Sequence, residues 1–264
     1  MNTNQISVII ITKNEEHNIT SCLESVKWAD EIIVVDSYST DDTVELAKKF
    51  QNVKIFQRTF DGFGQQKNFA LSKATGKWIL NIDADERVTE ELKNEILNNI
   101  KSDEYDAFFV RRKNIVFGDW WDDGKARALR IFKKDKGIFA NVYVHEYVIC
   151  KGKTKALNFP LLHYSKALAN IKEYVNTYLN DYTTKLSLDL YNKNIRISAK
   201  NTIYYFLIKP VLIFLNKFFL KKYYSHGIRG LILALFVAVA YIISYAKLWE
   251  LNTNQKNINN NDTK

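Results

Sequence analysis

Two acidic segments, each directly after a short apolar run, carry the side chains best suited to chemistry. The first run ends before Asp36, and the second ends before Asp83, Asp85 and Glu86. Three carboxylates this close repel one another unless a cation lies among them. Mg²⁺ and Mn²⁺ favour oxygen ligands, and Mg²⁺ is typically held by one or two carboxylates plus substrate phosphates. The second segment therefore indicates a metal–diphosphate site, with an acidic turn that caps the following helix as the structural alternative.

The elements around these segments decide where the carboxylates lie. Residues 32–35 and 78–82 are short apolar runs rich in β-branched side chains, which are typical of buried strands in a parallel sheet. Ligands of open α/β sheets bind beyond the carboxyl ends of such strands. Both acidic segments are therefore expected at the edge of the sheet where a ligand would bind.

A third loop completes this edge of the sheet. Thr12, Asn14 and Glu15 follow the first predicted strand. In a parallel sheet this loop is a neighbour of Asp36, and the two sides can close around a nucleoside. The ribose and a metal-bound diphosphate then meet the second acidic segment. Lys67 can add a positive charge close by, unless it is a solvated helix lysine.

The first hundred residues alternate predicted strands with predicted helices, and this order predicts a mostly parallel sheet with helices on both faces. Ser39 and Asp42 have the spacing of a helix-capping pair. Apolar residues at helical spacing between 171 and 190 predict an amphipathic helix that packs in a core or an interface. The predicted strands are residues 6–11, 31–35, 53–56, 78–82, 106–112, 128–132 and 142–150, and the predicted helices are residues 15–28, 40–50, 65–73 and 89–100.

The positive charge of the chain is concentrated near its C-terminal end. The net charge is +9 over 264 residues, and residues 190–249 contain nine Lys and Arg but no Asp or Glu. The remainder is therefore neutral. Because the excess charge accompanies long apolar segments rather than a polar face, nucleic acid is a poor candidate partner. Residues 1–5 are polar and a strand follows at once, so we expect no signal peptide.

Two apolar segments in this basic region indicate contact with a membrane. Residues 203–220 are interrupted by cations and a proline, and residues 230–246 carry no charge. We expect two helices lying in or dipping into the membrane interface rather than a single span, with a buried helical hairpin as the alternative. The expected organisation is a catalytic domain, a helical, basic and apolar membrane-associating region, and a disordered polar tail, at residues 1–165, 166–250 and 251–264.

At the level of motifs the chain resembles the inverting family 2 glycosyltransferases. The matching segments are VIIITKNE at 8–15, EIIVVDSYSTD at 31–41 and DADE at 83–86. A narrower resemblance is to bacterial lipopolysaccharide-core glycosyltransferases that add a hexose to inner-core heptose. It rests on GFGQQKNFAL at 62–71, LRIF at 129–132, VHE at 144–146 and YAKLWE at 245–250. The resemblance implies an α/β fold of the GT-A type, a Rossmann-like and mostly parallel sheet.

The resemblance also implies roles for individual residues. It implies nucleoside contacts from Thr12, Asn14, Glu15 and Asp36. It implies that Asp83 binds the ribose, and that the Mg²⁺ or Mn²⁺ ion is held by Asp85 together with Asp83 and His163. For His163, a lone histidine beside apolar residues, core packing is the structural alternative.

The general base is the role with the most alternatives. An inverting transfer needs a base that takes the proton of the acceptor hydroxyl. Glu146 is the first candidate, with a structural salt bridge as its alternative role. Related enzymes carry an acidic residue shortly before the strand that corresponds to residues 129–132. Here the nearest acids are Asp122 and Asp123, so either can be the base instead.

These observations lead to one expected function and two alternatives. The expected protein is an inverting, metal-dependent glycosyltransferase that moves a hexose, with UDP-glucose as the expected donor, to a lipid-linked saccharide such as the lipopolysaccharide inner core. It would act on the cytoplasmic face of a bacterial inner membrane, as a peripheral or monotopic protein on an anionic membrane surface. A sugar nucleotidyltransferase would require a glycine-rich loop after the first strand, and residues 12–16 contain no glycine. The other alternative is a non-catalytic, membrane-associated nucleotide-binding module.

Overall fold

The strands with continuous apolar sequence lie at the centre of the sheet, where both of their faces are covered. The computed structural model describes residues 5–122, 127–140 and 147–261, with side chains to residue 253. The strands are β1 (Ile6–Thr12), β2 (Glu31–Asp36), β3 (Val53–Gln57), β4 (Trp78–Asn81), β5 (Glu86–Arg87), β6 (Ala107–Val116), β7 (Asp119–Trp121), β8 (Arg127–Lys133), β9 (Gly137–Phe139), β10 (Val148–Cys150), β11 (Thr154–Ala156) and β12 (Leu161–His163).

The strand order brings the predicted loops to one edge. The main sheet runs β3-β2-β1-β4-β8-β6-β12-β5, and β3, β2, β1 and β4 are parallel neighbours. The register pairs Thr12 with Asp36 and Ile9 with Asn81. The strands β8 and β6 continue the sheet in antiparallel pairings. The expected mostly parallel α/β sheet is therefore confirmed, and β1, β2 and β4 end side by side.

Helices cover both faces of this sheet, as predicted. They are α1 (Glu16–Val26), α2 (Thr43–Ala47), α3 (Phe63–Lys73) and α4 (Glu90–Asn99). On one face Leu23 of α1 and Ile96 of α4 pack against the strands, and on the other face Ala70 of α3 does so. Burying a side chain such as Leu23 or Ile96 stabilises the fold by about 1.5–3 kcal/mol.

The helix α2 is shorter than predicted, and its predicted capping pair is wrong. The Ser39 hydroxyl donates to Asp36 instead of capping the helix. The residue before the helix is Asp42, whose side chain makes no capping hydrogen bond, and the Asp41 carboxylate accepts the Thr43 backbone N–H at 3.1 Å. The helix α2 begins at Thr43 rather than at residue 40.

The chain divides into two compact units. The first comprises residues 1–114 and 122–164, and the second residues 115–121 and 165–264. The second unit contains the helices α5 (Lys166–Ala169), α6 (Ile171–Glu173), α7 (Thr183–Asn192), α8 (Lys209–Leu215) and α9 (Gly227–Asn261), with π-helical stretches Tyr174–Tyr182, Tyr204–Ile208 and Asn216–Leu220 and a 3₁₀ turn Tyr223–His226.

The long helix α9 differs from the expected tail. It continues to Asn261, whereas the sequence predicted a disordered segment from residue 251. After Gly230 the chain contains no glycine or proline that would end a helix. Within the described residues, Tyr223–Thr253 is the helical segment long and apolar enough to cross a membrane, and an 18-residue window within it has a mean hydropathy of 2.2.

Candidate active site

A cleft lies at the carboxyl ends of β1, β2 and β4, where the sequence placed the ligand. Its volume is about 410 Å³, which is within the range of small-molecule sites. The lining residues come from the loops after these strands, from the start of α3 and from β12: Ile11, Thr12, Lys13, Glu15, Ser37, Phe60, Phe63, Asp83, Ala84, Asp85 and His163. We call this the donor cleft.

Asp85 and His163 meet inside the donor cleft although 78 residues separate them. The Oδ2 atom of Asp85 lies 3.0 Å from Nε2 of His163. The other ring nitrogen, Nδ1, lies 2.8 Å from Oδ1 of Asn114, which orients the imidazole. The Tyr164 N–H donates to the Asp85 carbonyl at 2.8 Å and fixes β12 against the acidic loop. The structure thus brings together two of the three predicted metal residues.

The chemistry of this pair suits a divalent cation. Mn²⁺ binds both carboxylate oxygens and imidazole nitrogens, whereas Mg²⁺ favours the carboxylate oxygen. Within the described part of the chain no group of three or more His, Cys, Asp or Glu side chains could hold a metal ion. A metal at Asp85 and His163 would therefore need oxygens from a bound diphosphate, as Mg²⁺ commonly does. The two residues fit such a shared site.

Asp83 has different partners from its neighbour Asp85. Its Oδ1 accepts a hydrogen bond from Nζ of Lys67 at 2.9 Å, and the Arg130 guanidinium lies 3.5 Å from Oδ2. Burial alone would raise the pKa of Asp83, but the charges of Lys67 and Arg130 outweigh it and hold the pKa far below its usual range. Asp83 is therefore an ionised acceptor that two cations already contact.

Glu86 holds the acidic loop in place from within the protein core. Its side chain is fully buried, and Oε1 lies 2.6 Å from Nη2 of Arg130. Its other oxygen accepts the backbone N–H of Asp83 at 2.9 Å. Burial raises the pKa of Glu86, and the Arg130 charge opposes that rise. Glu86 is a loop anchor in the core, and it does not line the donor cleft.

Thr12 and Glu15 line the donor cleft. The Thr12 hydroxyl is buried and has no hydrogen-bond partner among the described residues. The Glu15 carboxylate accepts from the Asn18 amide at 2.8 Å. Burial is the main reason that the pKa of Glu15 is raised, and the nearby Asp85 charge adds to it. The Glu15 carboxylate is therefore an acceptor at the wall of the cleft, and the Thr12 hydroxyl is a buried group whose hydrogen-bonding capacity is unused among the described residues.

Asp36 and Asn14, by contrast, are not among the residues that line the cleft. The Asp36 carboxylate is fully buried and accepts from the Ser39 N–H at 3.0 Å and from the Gln57 amide at 3.2 Å. Asn14 adopts a φ of 55°, and its amide oxygen accepts the Thr40 N–H at 2.9 Å. These bonds tie the loops after β1 and β2 together, and Ser37 rather than Asp36 lines the cleft.

Sequence reasoning missed the aromatic pair at the mouth of the donor cleft. The Phe60 and Phe63 rings are partly exposed and lie edge to face, with centroids 5.0 Å apart. Gly62 between them has a φ of 139°, a conformation that favours glycine. The sequence did contain a usable signal, since two phenylalanines lie on either side of a glycine directly before the predicted helix 65–73.

Of the three base candidates, the described residues include only Asp122. Its carboxylate pairs with the guanidinium of Arg111. Glu146 and Asp123 lie outside the described residues, as does most of the predicted strand 142–150, of which β10 is the described part. Lys67 is buried and contacts Asp83, so the alternative of a solvated helix lysine is wrong.

The fold is of the GT-A glycosyltransferase type. Its parallel half-sheet is extended by antiparallel strands, and acidic residues and a histidine lie at the strand ends. Residues 7–162 match the model of the family described as Glycosyl transferase family 2. The chain belongs to this family and is a transferase enzyme.

Curated relatives match over nearly the whole chain. A Rickettsia typhi protein described as uncharacterized glycosyltransferase RT0209 is 33% identical, with 96% of this chain and 90% of the relative covered. The lipopolysaccharide core biosynthesis glycosyltransferase LpsC of Rhizobium meliloti is 29% identical, with 93% and 92% covered. Among solved structures, S. aureus TarS 1–349 in complex with UDP-GlcNAc is similar, with a TM-score of 0.50, 18% identity and 95% and 92% coverage. This structural likeness supports the fold.

Proposed function

We propose that this glycosyltransferase is an inverting, metal-dependent enzyme that moves a hexose from a UDP-sugar, with UDP-glucose as the expected donor. The acceptor is a lipid-linked saccharide such as the lipopolysaccharide inner core. The observation that carries the proposal is the Asp85–His163 pair, 3.0 Å apart, in the same cleft as Thr12 and Glu15. The complex of TarS with UDP-GlcNAc and the description of LpsC support a UDP-sugar donor and a saccharide acceptor.

In this proposal different residues of the donor cleft bind the nucleoside, the ribose and the divalent ion. Thr12 and Glu15 contact the nucleoside, and Asp83 accepts hydrogen bonds from the ribose hydroxyls, for which its lowered pKa keeps it ionised. Asp85 and His163 hold the divalent ion. When bound, such an ion offsets the negative charge that develops on the departing diphosphate.

In this proposal the general base is one of Glu146, Asp122 and Asp123. Replacing the base by its amide should lower kcat by about 10²–10⁴-fold while the KM for the donor changes little, because the base acts on the acceptor hydroxyl. For Asp122 the amide also loses the ion pair with Arg111, so a rise in KM or a loss of stability would mark a structural role.

The decisive experiment is a panel of UDP-sugars incubated with the full-length protein and Mn²⁺ or Mg²⁺. Release of UDP should depend on the metal and favour one hexose. Asp85→Ala should abolish this release, whereas Asp103→Ala, which changes an exposed aspartate, should retain it. Metal-dependent UDP release that survives in Asp85→Ala would contradict the proposal.

We also propose that the second unit binds the anionic cytoplasmic face of a bacterial inner membrane. Apolar side chains on residues 203–220 are exposed, including Leu207 at 63% and Leu220 at 72%. Lys209, Lys217 and Lys221 accompany them. Anionic lipid attracts such cations by about 1 kcal/mol each, and aromatic and apolar side chains enter the interface.

Flotation with lipid vesicles tests the membrane proposal. The full-length protein should float with vesicles that contain anionic lipid and float less with purely zwitterionic vesicles. Truncation after about residue 190 should abolish flotation. A truncated protein that still binds the vesicles would refute this part of the proposal.

A further inference from the structure

A second cleft lies on the other side of Asp83. Its volume is about 530 Å³, and Asp83 lines both this cleft and the donor cleft. Its walls come from α3, β4, β6, β8, β9 and the start of β10: Lys67, Asn81, Asp83, Phe109, Arg112, Arg127, Ala128, Leu129, Arg130, Phe139, Tyr147 and Val148. We call it the cationic cleft.

Positive charge exceeds negative charge in the cationic cleft. Its described walls contain four cations, of which Lys67 and Arg130 contact the carboxylates Asp83 and Glu86. The other two, Arg112 and Arg127, have at most a long ion pair with a described carboxylate. Arg112 is 46% exposed and lies 3.9 Å from Glu86, and Arg127 is exposed and forms no ion pair with a described residue. Among the described residues, about two positive charges of this cleft are thus not matched by a carboxylate, and a phosphate monoester, with a charge of about −2 at neutral pH, would balance them.

Other wall residues suit a sugar ring. The Asn81 side chain is 4% exposed, and its Oδ1 has no hydrogen-bond partner among the described residues. A ligand hydroxyl could donate to this buried oxygen, which otherwise lacks a bond that buried polar atoms normally make. Tyr147 and Phe139 supply aromatic faces at the same cleft. A smaller cleft of about 190 Å³ shares Arg112, Arg127 and Arg130.

We propose that the cationic cleft binds the acceptor and that the acceptor is a phosphate-bearing saccharide. Arg112 and Arg127 hold the phosphate, because guanidinium groups bind phosphate oxygens through paired, charge-assisted hydrogen bonds. Asn81 accepts a sugar hydroxyl. The inference rests on the proposed function, since Asp83 at the junction of the two clefts is where donor and acceptor would meet.

A matched pair of probes tests this inference: methyl α-mannoside and its 6-phosphate. Binding of each to the full-length protein is measured by ligand-observed NMR, with a UDP titration in Mn²⁺ on the same samples. Wild-type protein should bind the phosphorylated glycoside at least about tenfold more tightly than the plain one. Arg127→Gln, alone and with Arg112→Gln, should remove this preference and leave UDP binding unchanged. Arg196→Gln, an exposed arginine of the second unit, should change neither.

Other outcomes would contradict the inference or the proposed function. Equal binding of the two glycosides by the wild type, or an unchanged preference in the double variant, would overturn the inference. A parallel loss of UDP binding in Arg127→Gln would also overturn it, because the arginines would then serve the donor diphosphate. A wild type that binds the phosphorylated glycoside but no UDP would overturn the proposed function while supporting the anionic saccharide site.

Discussion

Replacing Arg130 by methionine should destabilise the protein strongly, because Arg130 is the partner of a fully buried carboxylate. Glu86 is 0% exposed and lies 2.6 Å from the guanidinium. Methionine keeps much of the side-chain volume but leaves Glu86 without this partner. Breaking a buried ion pair in this way costs about 3–5 kcal/mol of unfolding free energy. The acidic loop that carries Asp83 and Asp85 would lose its anchor at the same time.

The destabilisation should depend on pH. Burial raises the pKa of Glu86, and Arg130 opposes that rise, so the pKa should climb further in Arg130→Met. A carboxyl whose pKa is higher in the folded than in the unfolded state binds its proton more readily when folded. The deficit of the variant should therefore be largest at neutral pH and shrink as the pH falls towards about 4.3, the ordinary pKa of glutamate.

Urea unfolding followed by tryptophan fluorescence at pH 7.5 and pH 5 measures this effect. Arg127→Met is the matched control, because Arg127 is exposed and should change stability by only about 0.5 kcal/mol. The double variant Glu86→Gln with Arg130→Met should recover part of the loss, since no buried charge is left unpaired. An Arg130→Met variant as stable as Arg127→Met, or no recovery in the double variant, would refute the reasoning.

Two further predictions concern other residues of the first unit. Hydrogen bonds from Ser7 and Thr75 and the ion pair with Lys54 outweigh the burial that would raise the pKa of Glu31, and lower it to about 2. At 1.36 kcal/mol per pKa unit, this lowered pKa contributes about 3 kcal/mol to the free energy of unfolding. The contribution is present above pH 4.5 and is lost as the pH falls towards 2. Urea unfolding of Glu31→Gln should therefore depend less on acid pH than that of the wild type. Thr12→Val removes a hydroxyl without a described partner, so its melting temperature should stay close to that of the wild type while UDP binding in a calorimeter weakens about tenfold. An unchanged affinity for UDP would exclude a role of this hydroxyl in the donor site.

The positions of the strand ends could be predicted from the sequence. The strands β1, β2 and β4 are continuous apolar runs, and burial on both faces leaves few arrangements other than a central parallel sheet. Once they are neighbours, Thr12 and the acidic segments must share one edge. The pairing of Asp85 with His163 followed from the family resemblance rather than from spacing.

The partners of Asp83 could not be predicted in the same way. Arg130 lies on β8, and it reaches Asp83 and Glu86 only because β8 pairs with β4 in antiparallel orientation. No local pattern encodes that pairing. A charged residue in the apolar strand LRIF was a usable signal, since a buried arginine requires a partner. The capping pair of α2 failed for a local reason, because Ser39 had a competing acceptor in Asp36.

A calorimetric titration of UDP into the full-length protein, with Mn²⁺ and with a chelator, tests most directly whether Asp85 and His163 form a metal-dependent donor site. The wild type should bind UDP about tenfold or more tightly in Mn²⁺ than in the chelator. Asp85→Asn should bind equally under both conditions, whereas the control Asp103→Asn should behave as the wild type. UDP affinity that is independent of Mn²⁺ in the wild type, or dependent on Mn²⁺ in Asp85→Asn, would contradict the assignment of this site.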